Sequence, residues 1–272
     1  MKTKIYLAAV LSICIGTSVI LAEEQTPAKP AEEQASTKIA WTATADFYGK
    51  YVWRGQNISD NPVFQPSIAA AYGPLSGSVW SNMNLSSIHD NRNKFSELDY
   101  TVDYTDAIPG AEGLKYSVGS IYYDFPTQRL SDGTHVPPTT EIYGGLSIAI
   151  PYLDPSFKIY RDVQTWNGTY YTLAIGHTFE KNTFNSNCSG CLCVGASVGY
   201  GDATYNKYYW GYNSDAFNDL TTSISYPITI DSWTLKPSLN YVTLLDNNLR
   251  DSDFYQTSSD YFFAGLSLST TF

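Results

Sequence analysis

The chain has 272 residues, 23 of them tyrosine, with only 15% charged residues and a formal net charge of −10. An acidic chain presents no basic face to phosphate, so nucleic acid is excluded as a partner. Sparse charge with abundant tyrosine is unusual for a soluble enzyme, and beyond the N-terminus no run approaches the ~18 apolar residues of a transmembrane helix.

Lys2 and Lys4 precede an apolar run from Ile5 to Leu21, and Ala22 leads into Glu23-Glu24-Gln25. This is the pattern of a secretory signal peptide, residues 1–22, too short and wrongly flanked for a membrane span. The rival reading takes Cys14 as a lipoprotein cysteine; Ile13 before it and the apolar residues beyond it speak against that. Residues 23–38, EEQTPAKPAEEQASTK, offer nothing to a core and read as a flexible periplasmic spacer.

From Ile39 the period becomes two. Ile39, Trp41, Ala43, Ala45 and Phe47 alternate with Ala40, Thr42, Thr44, Asp46 and Tyr48, as a half-buried strand requires. Leu98, Tyr100, Val102 and Tyr104 likewise oppose Glu97, Asp99, Thr101 and Asp103. Strands are expected near 39–52, 62–72, 74–85, 94–105, 114–125, 139–150, 155–164, 169–179, 191–200, 216–226, 232–243 and 260–272. No segment carries a 3.6 period long enough for a helix. With both termini in the periplasm, the outer connections are 53–61, 86–93, 126–138, 165–168, 201–215 and 244–259, mostly longer than the inner ones. That asymmetry is the habit of bacterial barrels. Among the inner connections, 180–190 is long for a turn.

In the last segment Phe262, Ala264, Leu266, Leu268, Thr270 and Phe272 form one stripe and Tyr261, Gly265, Ser267, Ser269 and Thr271 the other. Phe262, Leu266, Leu268 and Phe272 therefore read as the signal by which barrel-assembly machinery inserts a strand. The bland alternative is an edge strand of a soluble sandwich. The expectation is an all-β, 12-stranded antiparallel transmembrane β-barrel over residues 39–272, which leaves no strand edge unpaired.

Tyr51-Val52-Trp53-Arg54-Gly55, followed by Pro62-Val63-Phe64-Gln65-Pro66-Ser67-Ile68, resembles the start of the TorF family of porins. Trp80, the acidic run from Glu97 to Asp103 and Glu141-Ile142-Tyr143 fit the same resemblance. It implies an outer-membrane barrel with a pore and supplies no substrate. The cysteine cluster is a departure from that family.

Several motifs bear on chemistry. Gly195-Ala196-Ser197-Val198-Gly199 matches G-x-S-x-G, yet that mechanism needs a strand-to-helix turn at the serine, and here the serine sits mid-strand. The histidines are His89, His135 and His177, and no motif ties a serine to any of them. Cys188, Cys191 and Cys193 read as a local disulfide with one thiol left over, in preference to a soft-metal site. No cofactor motif and no resident metal are expected.

The polar faces are the functional lead. If the apolar stripes face lipid, then Asp46, Lys50, Trp80, Glu97, Asp99, Asp103, Lys115, Glu141, Lys158, Asp162 and Lys236 line the lumen, with Arg54 at the outer rim. Six acids against four lysines favour cations over anions. The expected function is passive diffusion of a small solute or ion through an outer-membrane channel, with outer-membrane lipid as its surroundings and a homo-oligomer left open. The alternatives are a non-conducting structural barrel and an outer-membrane lipid hydrolase.

Overall fold

The computed structural model describes residues 38–86, 92–130, 132–252, 254–255 and 258–272. The expected signal peptide, Cys14, His89 and all of the spacer except Lys38 lie outside the described residues. In chain order the elements are β1 (Ala40–Tyr48), β2 (Tyr51–Trp53), β3 (Gln56–Ser59), β4 (Val63–Tyr72), β5 (Leu75–Asn84), β6 (Phe95–Ala107), β7 (Leu114–Asp124), β8 (Thr139–Ile148) and β9 (Ser156–Asp162). There follow β10 (Thr169–Thr178), β11 (Asn182–Asn185), β12 (Cys188–Gly190), β13 (Cys193–Gly201), α1 (Ala203–Trp210), β14 (Ala216–Ser225), β15 (Ile228–Ile230), β16 (Trp233–Leu244), α2 (Asn247–Asp251) and β17 (Asp260–Thr271).

Twelve strands close a ring in the order β1, β4, β5, β6, β7, β8, β9, β10, β13, β14, β16, β17 and back to β1, every neighbour antiparallel. The seam between β17 and β1 aligns Ala45 with Leu268 and Thr42 with Thr271. Trp41 and Phe272 extend it by exchanging both backbone hydrogen bonds, at 3.0 and 2.9 Å. Period-two alternation places the two stripes of each strand on opposite faces. Phe47, Val102, Val118, Ile142, Leu173 and Leu266 are exposed on the outside. Asp46, Glu97, Asp99, Asp103 and Glu141 are buried inside. An apolar exterior on a closed antiparallel wall is the solution that lipid imposes, because the bilayer core satisfies no backbone group. The barrel is one of the bacterial outer membrane. No described helix is long and apolar enough to cross a membrane.

Three features depart from the expected layout. The first strand does not run to residue 52: β1 ends at Tyr48, and residues 51–59 form a separate two-stranded sheet, β2–β3. The long inner turn, 180–190, is a hairpin: β11 pairs with β12, β12 with β15 and β15 with β16, which prolongs the wall at its periplasmic end. Two short helices occupy outer loops where no helix is expected. Asp202 caps α1 by accepting from the Tyr205 N–H at 2.7 Å, and Gly211 ends it in the left-handed region. Asp246 caps α2 in the same way. Neither helix carries a long apolar stripe, so caps and packing, not periodicity, hold them.

Candidate functional site

The candidate site is the barrel interior at its outer end, where β2–β3 folds inward. Trp53 pairs with Gln56 across a two-residue turn, Arg54-Gly55, and both turn residues have positive φ (48° and 78°). That is the twist a tight hairpin needs, with Gly at the second position. A Cβ on Gly55 would stand 2.8 Å from Leu244 Cδ2 and 2.9 Å from Asp219 Cβ, so the tip touches the wall at β14 and β16. The reversal after three residues turns the chain back within the lumen, toward β4.

Arg54 is therefore not at the rim. It is 2% exposed, and its Nη1 and Nη2 donate to Glu141 Oε1 and Oε2 on β8, each at 2.8 Å. Its guanidinium also lies 4.5 Å from the ring centroids of Trp53, Tyr160 and Tyr170. A planar cation suits this double role of carboxylate fork and aromatic stacking. The Tyr123 hydroxyl donates to Glu141 Oε2 at 2.9 Å, which adds a further donor to the acceptor side of the pair.

The other expected lining residues divide by what holds them. Glu97 accepts from the Tyr51 hydroxyl at 3.1 Å, and Trp80 packs its ring 5.7 Å from Tyr51, so both support the hairpin. Asp103 accepts from the Tyr143 hydroxyl at 2.6 Å and from Thr105. Asp46 and Asp99 are buried on the inner faces of β1 and β6. Asp162 is buried, but it serves the neighbouring outer loop: one oxygen takes Thr139, and Oδ1 accepts the backbone N–H groups of Gln164, Thr165, Trp166 and Asn167 at 3.0–3.2 Å. Lys50 is half-buried at the neck of the hairpin and pairs with Asp60, which also accepts from Asn57 at 2.9 Å. The Lys50 hydrogen bond, with the Asn57 one behind it, holds the Asp60 carboxyl below its usual value. Lys115 lies half-buried at the periplasmic end of β7.

Sequence reasoning missed the phenols and one acid. Tyr170 donates to Asp219 Oδ1 at 2.6 Å, and Tyr205 of α1 accepts from Gln56 Nε2 at 3.0 Å. The Trp53 ring packs edge-on to Tyr123 and to Tyr209 of α1. Asp219 was hidden by a bulge: Val198 faces Leu220 but Tyr200 faces Phe217, so Asn218 and Asp219 both turn inward and alternation fails. Gly199 gives the one local signal. A Cβ there would lie 1.7 Å from the Tyr170 hydroxyl and 2.6 Å from Asp219 Oδ1. The G-x-S-x-G pattern thus contains a glycine that makes room for a tyrosine–aspartate pair.

The remaining motifs fall outside the interior site. Ser197 is buried on the inner face of β13, whereas His177 packs against Tyr152 and edge-on to Phe179 on the outer face of β10. The wall separates them. Cys188 lies half-buried on β12, and Cys191 and Cys193 are buried where β12 passes into β13. Phe262, Leu266, Leu268 and Phe272 form an exposed stripe along the last strand.

Neither a family model nor a curated protein matches the chain. Among solved structures it is similar to the KdgM porin in complex with disordered oligogalacturonate, at a TM-score of 0.47 and 10% identity, covering 86% of this chain and 99% of that one. It is similar to the NanC porin at a TM-score of 0.45 and 12% identity, covering 85% and 98%. A similar likeness to LpxR from Salmonella typhimurium has a TM-score of 0.45 and 11% identity, covering 84% and 99%. At this identity and score the likenesses carry neither solute nor reaction to this chain.

Proposed function

We propose that the protein is a narrow porin-like channel that passes small solutes or ions across the outer membrane by diffusion, with a preference for cations. The observation that carries this reading is the chemistry of the inner wall. A barrel serving only as scaffold has no need of buried charge, yet Asp46, Glu97, Asp99, Asp103, Glu141 and Asp219 are buried on an inner wall that also carries Arg54 and Lys236. Toward the periplasmic ends of the strands the inward positions are small and hydroxylated, among them Thr44, Ser76, Ser78, Ser223, Ser225 and Ser269. Such a surface is wetted readily. A twelve-stranded barrel is narrower than general porins, which favours small cargo, and an acidic wall favours cations. The resemblance to TorF porins supports the same reading, and its Trp53-Arg54-Gly55 step is the hairpin tip.

The test is planar-bilayer conductance with ion selectivity, on wild type and on Asp99→Asn with Asp103→Asn. Cation preference is expected to fall in the double variant; unchanged selectivity would place those acids outside the conduction path. A second reading, a barrel that does not conduct, is favoured by the hairpin packed across the interior. A folded, inserted barrel without conductance under any condition would establish it.

A further inference from the structure

We propose that the hairpin Tyr51–Ser59 is a hinged gate across the channel, and that the Arg54–Glu141 pair is its latch. The proposal rests on the channel reading above. Four observations support it.

First, the hairpin is an excursion from a complete wall. Tyr48 and Val63 are direct cross-strand partners, so the chain leaves β1 and rejoins β4 at one point. Gly49 and Pro62 still bond to the wall, Gly49 N–H to Ala264 O at 2.9 Å and Leu85 N–H to Pro62 O at 3.0 Å, so the excursion proper is residues 50–61. Second, β2 and β3 pair with each other and with no other described strand, so their hold on the barrel is by side chains. Those side chains reach far: Tyr51 to Glu97 on β6, Arg54 to Glu141 on β8, and Gln56 to Tyr205 on α1 and to Tyr255. A body with no strand pairing to the wall, held by these bonds and by the packing of Tyr51, Val52 and Trp53 in the interior, can leave as a unit.

Third, the central bond is poor permanent glue. Burying an ion pair desolvates both charges, and well-packed apolar side chains hold as well or better; switching between states is among the best-attested uses of such a pair. Apolar material is at hand in Val52, Trp53, Tyr123 and Val242, yet the tip residue is Arg. It sits at a positive φ, which an L side chain seldom adopts. The bidentate geometry with Glu141 is gained at that local strain. Fourth, the neck carries its own clamp, Lys50–Asp60, outside the packed interior. That places a second contact at the point about which the hairpin would turn.

Swinging outward would uncover Glu97, Glu141 and Asp219 together, which are otherwise covered by Tyr51, Arg54 and the Gly55 turn. The open state would therefore present an acidic wall at the level the hairpin fills.

The experiment compares single-channel records of the full chain with Arg54→Ala, Glu141→Gln and a form in which residues 51–59 are replaced by a short Gly-Ser link. Heat-modifiable gel migration certifies each barrel as folded and inserted. Wild type is expected to show brief openings. The two latch variants are expected to open severalfold more often at the same conductance step, and the linked form to stay open. Linked form and wild type behaving alike would overturn the gate while leaving the channel standing. An open linked form with both latch variants at wild-type open probability would overturn the latch. Silence from a folded, inserted linked form would remove the channel reading, and the gate with it. Should a latch variant fail to fold, Arg54→Lys keeps the charge but loses the bidentate fork, and it is expected to open at an intermediate frequency; wild-type behaviour from it would count against the latch.

Discussion

The outer and periplasmic halves of the barrel interior obey the same alternation rule and reach opposite outcomes. On β1, for example, the inward positions run from Thr42 and Thr44 at the periplasmic end to Asp46 and Tyr48 at the outer end. On β7 they run from Lys115 and Ser117 to Ile121 and Tyr123, and on β8 from Ser147 and Gly145 to Tyr143 and Glu141. Apart from Asp103, Lys115 and Lys236, the periplasmic positions are small or hydroxylated and give way to phenols, indoles and carboxylates, and the hairpin and α1 pack among those. Period two decides which face looks inward; the size of the inward residue decides whether that level is filled. The closely packed level of the interior therefore belongs to the outer half.

The sharpest way to break this contrast is to overfill one position in each half. Gly199 lies under the Tyr170–Asp219 bond, with its missing Cβ position 2.5 Å from Tyr170 Cζ. Gly199→Ala is expected to cost about 3 kcal/mol, the upper end for overpacking in a close-packed region. Ser269→Thr, which adds a methyl at a half-buried periplasmic position, is expected to change stability by less than about 0.5 kcal/mol. Urea midpoints read from the folded, heat-modifiable band measure both. Equal shifts would mean that the periplasmic half is packed as tightly as the outer one.

A smaller effect separates the two rims. Asp162 gathers four backbone N–H groups of an outer loop, whereas Asp154 lies in a periplasmic turn, where its own N–H donates to Gly176 O at 2.8 Å. Asp162→Ala is expected to cost about 1–3 kcal/mol, because buried donors lose a charged acceptor. Loop loosening should speed trypsin cleavage after Arg161. Asp162→Asn retains an acceptor oxygen and should lie between, and Asp154→Ala should leave the digestion pattern as in wild type. Cleavage that is indifferent to residue 162 would show the loop held by other means, such as the Trp166–Tyr208 stack at 3.5 Å.

The wall was legible in the sequence because each strand carries its own two-residue period, and the twelve expected spans match the twelve barrel strands to within a few residues. What escaped was everything not written in that period. The hairpin looked like the end of β1 because Tyr51 and Trp53 continue the alternation; only the Arg54-Gly55 turn reverses it. Asp219 escaped because a bulge shifts its parity. The phenol–carboxylate bonds escaped because they join residues dozens of positions apart, such as Tyr143 to Asp103 and Tyr170 to Asp219. Charge pattern located the inner wall, but not which charges are spent on packing.

The smallest expected effect lies where the hairpin meets the wall, and it tests whether outer-half closure depends on its neck. Asp60 sits below its usual carboxylate value because Lys50, and then Asn57, donate to its charged form. A lowered folded pKa means that the clamp contributes fully above the ordinary value of 3.8, and that its contribution is lost as pH falls through the lowered one. Asp60 is largely exposed, so solvent screens the pair and the contribution is slight. Open probability in bilayers should therefore gain a modest step below about pH 4, where free carboxylates begin to titrate. Asp60→Asn should start at the raised level and lose that step. If the step survives in Asp60→Asn, the acid-sensitive contact lies deeper, among the carboxylates that face the hairpin, and the neck plays no part in holding the outer half closed.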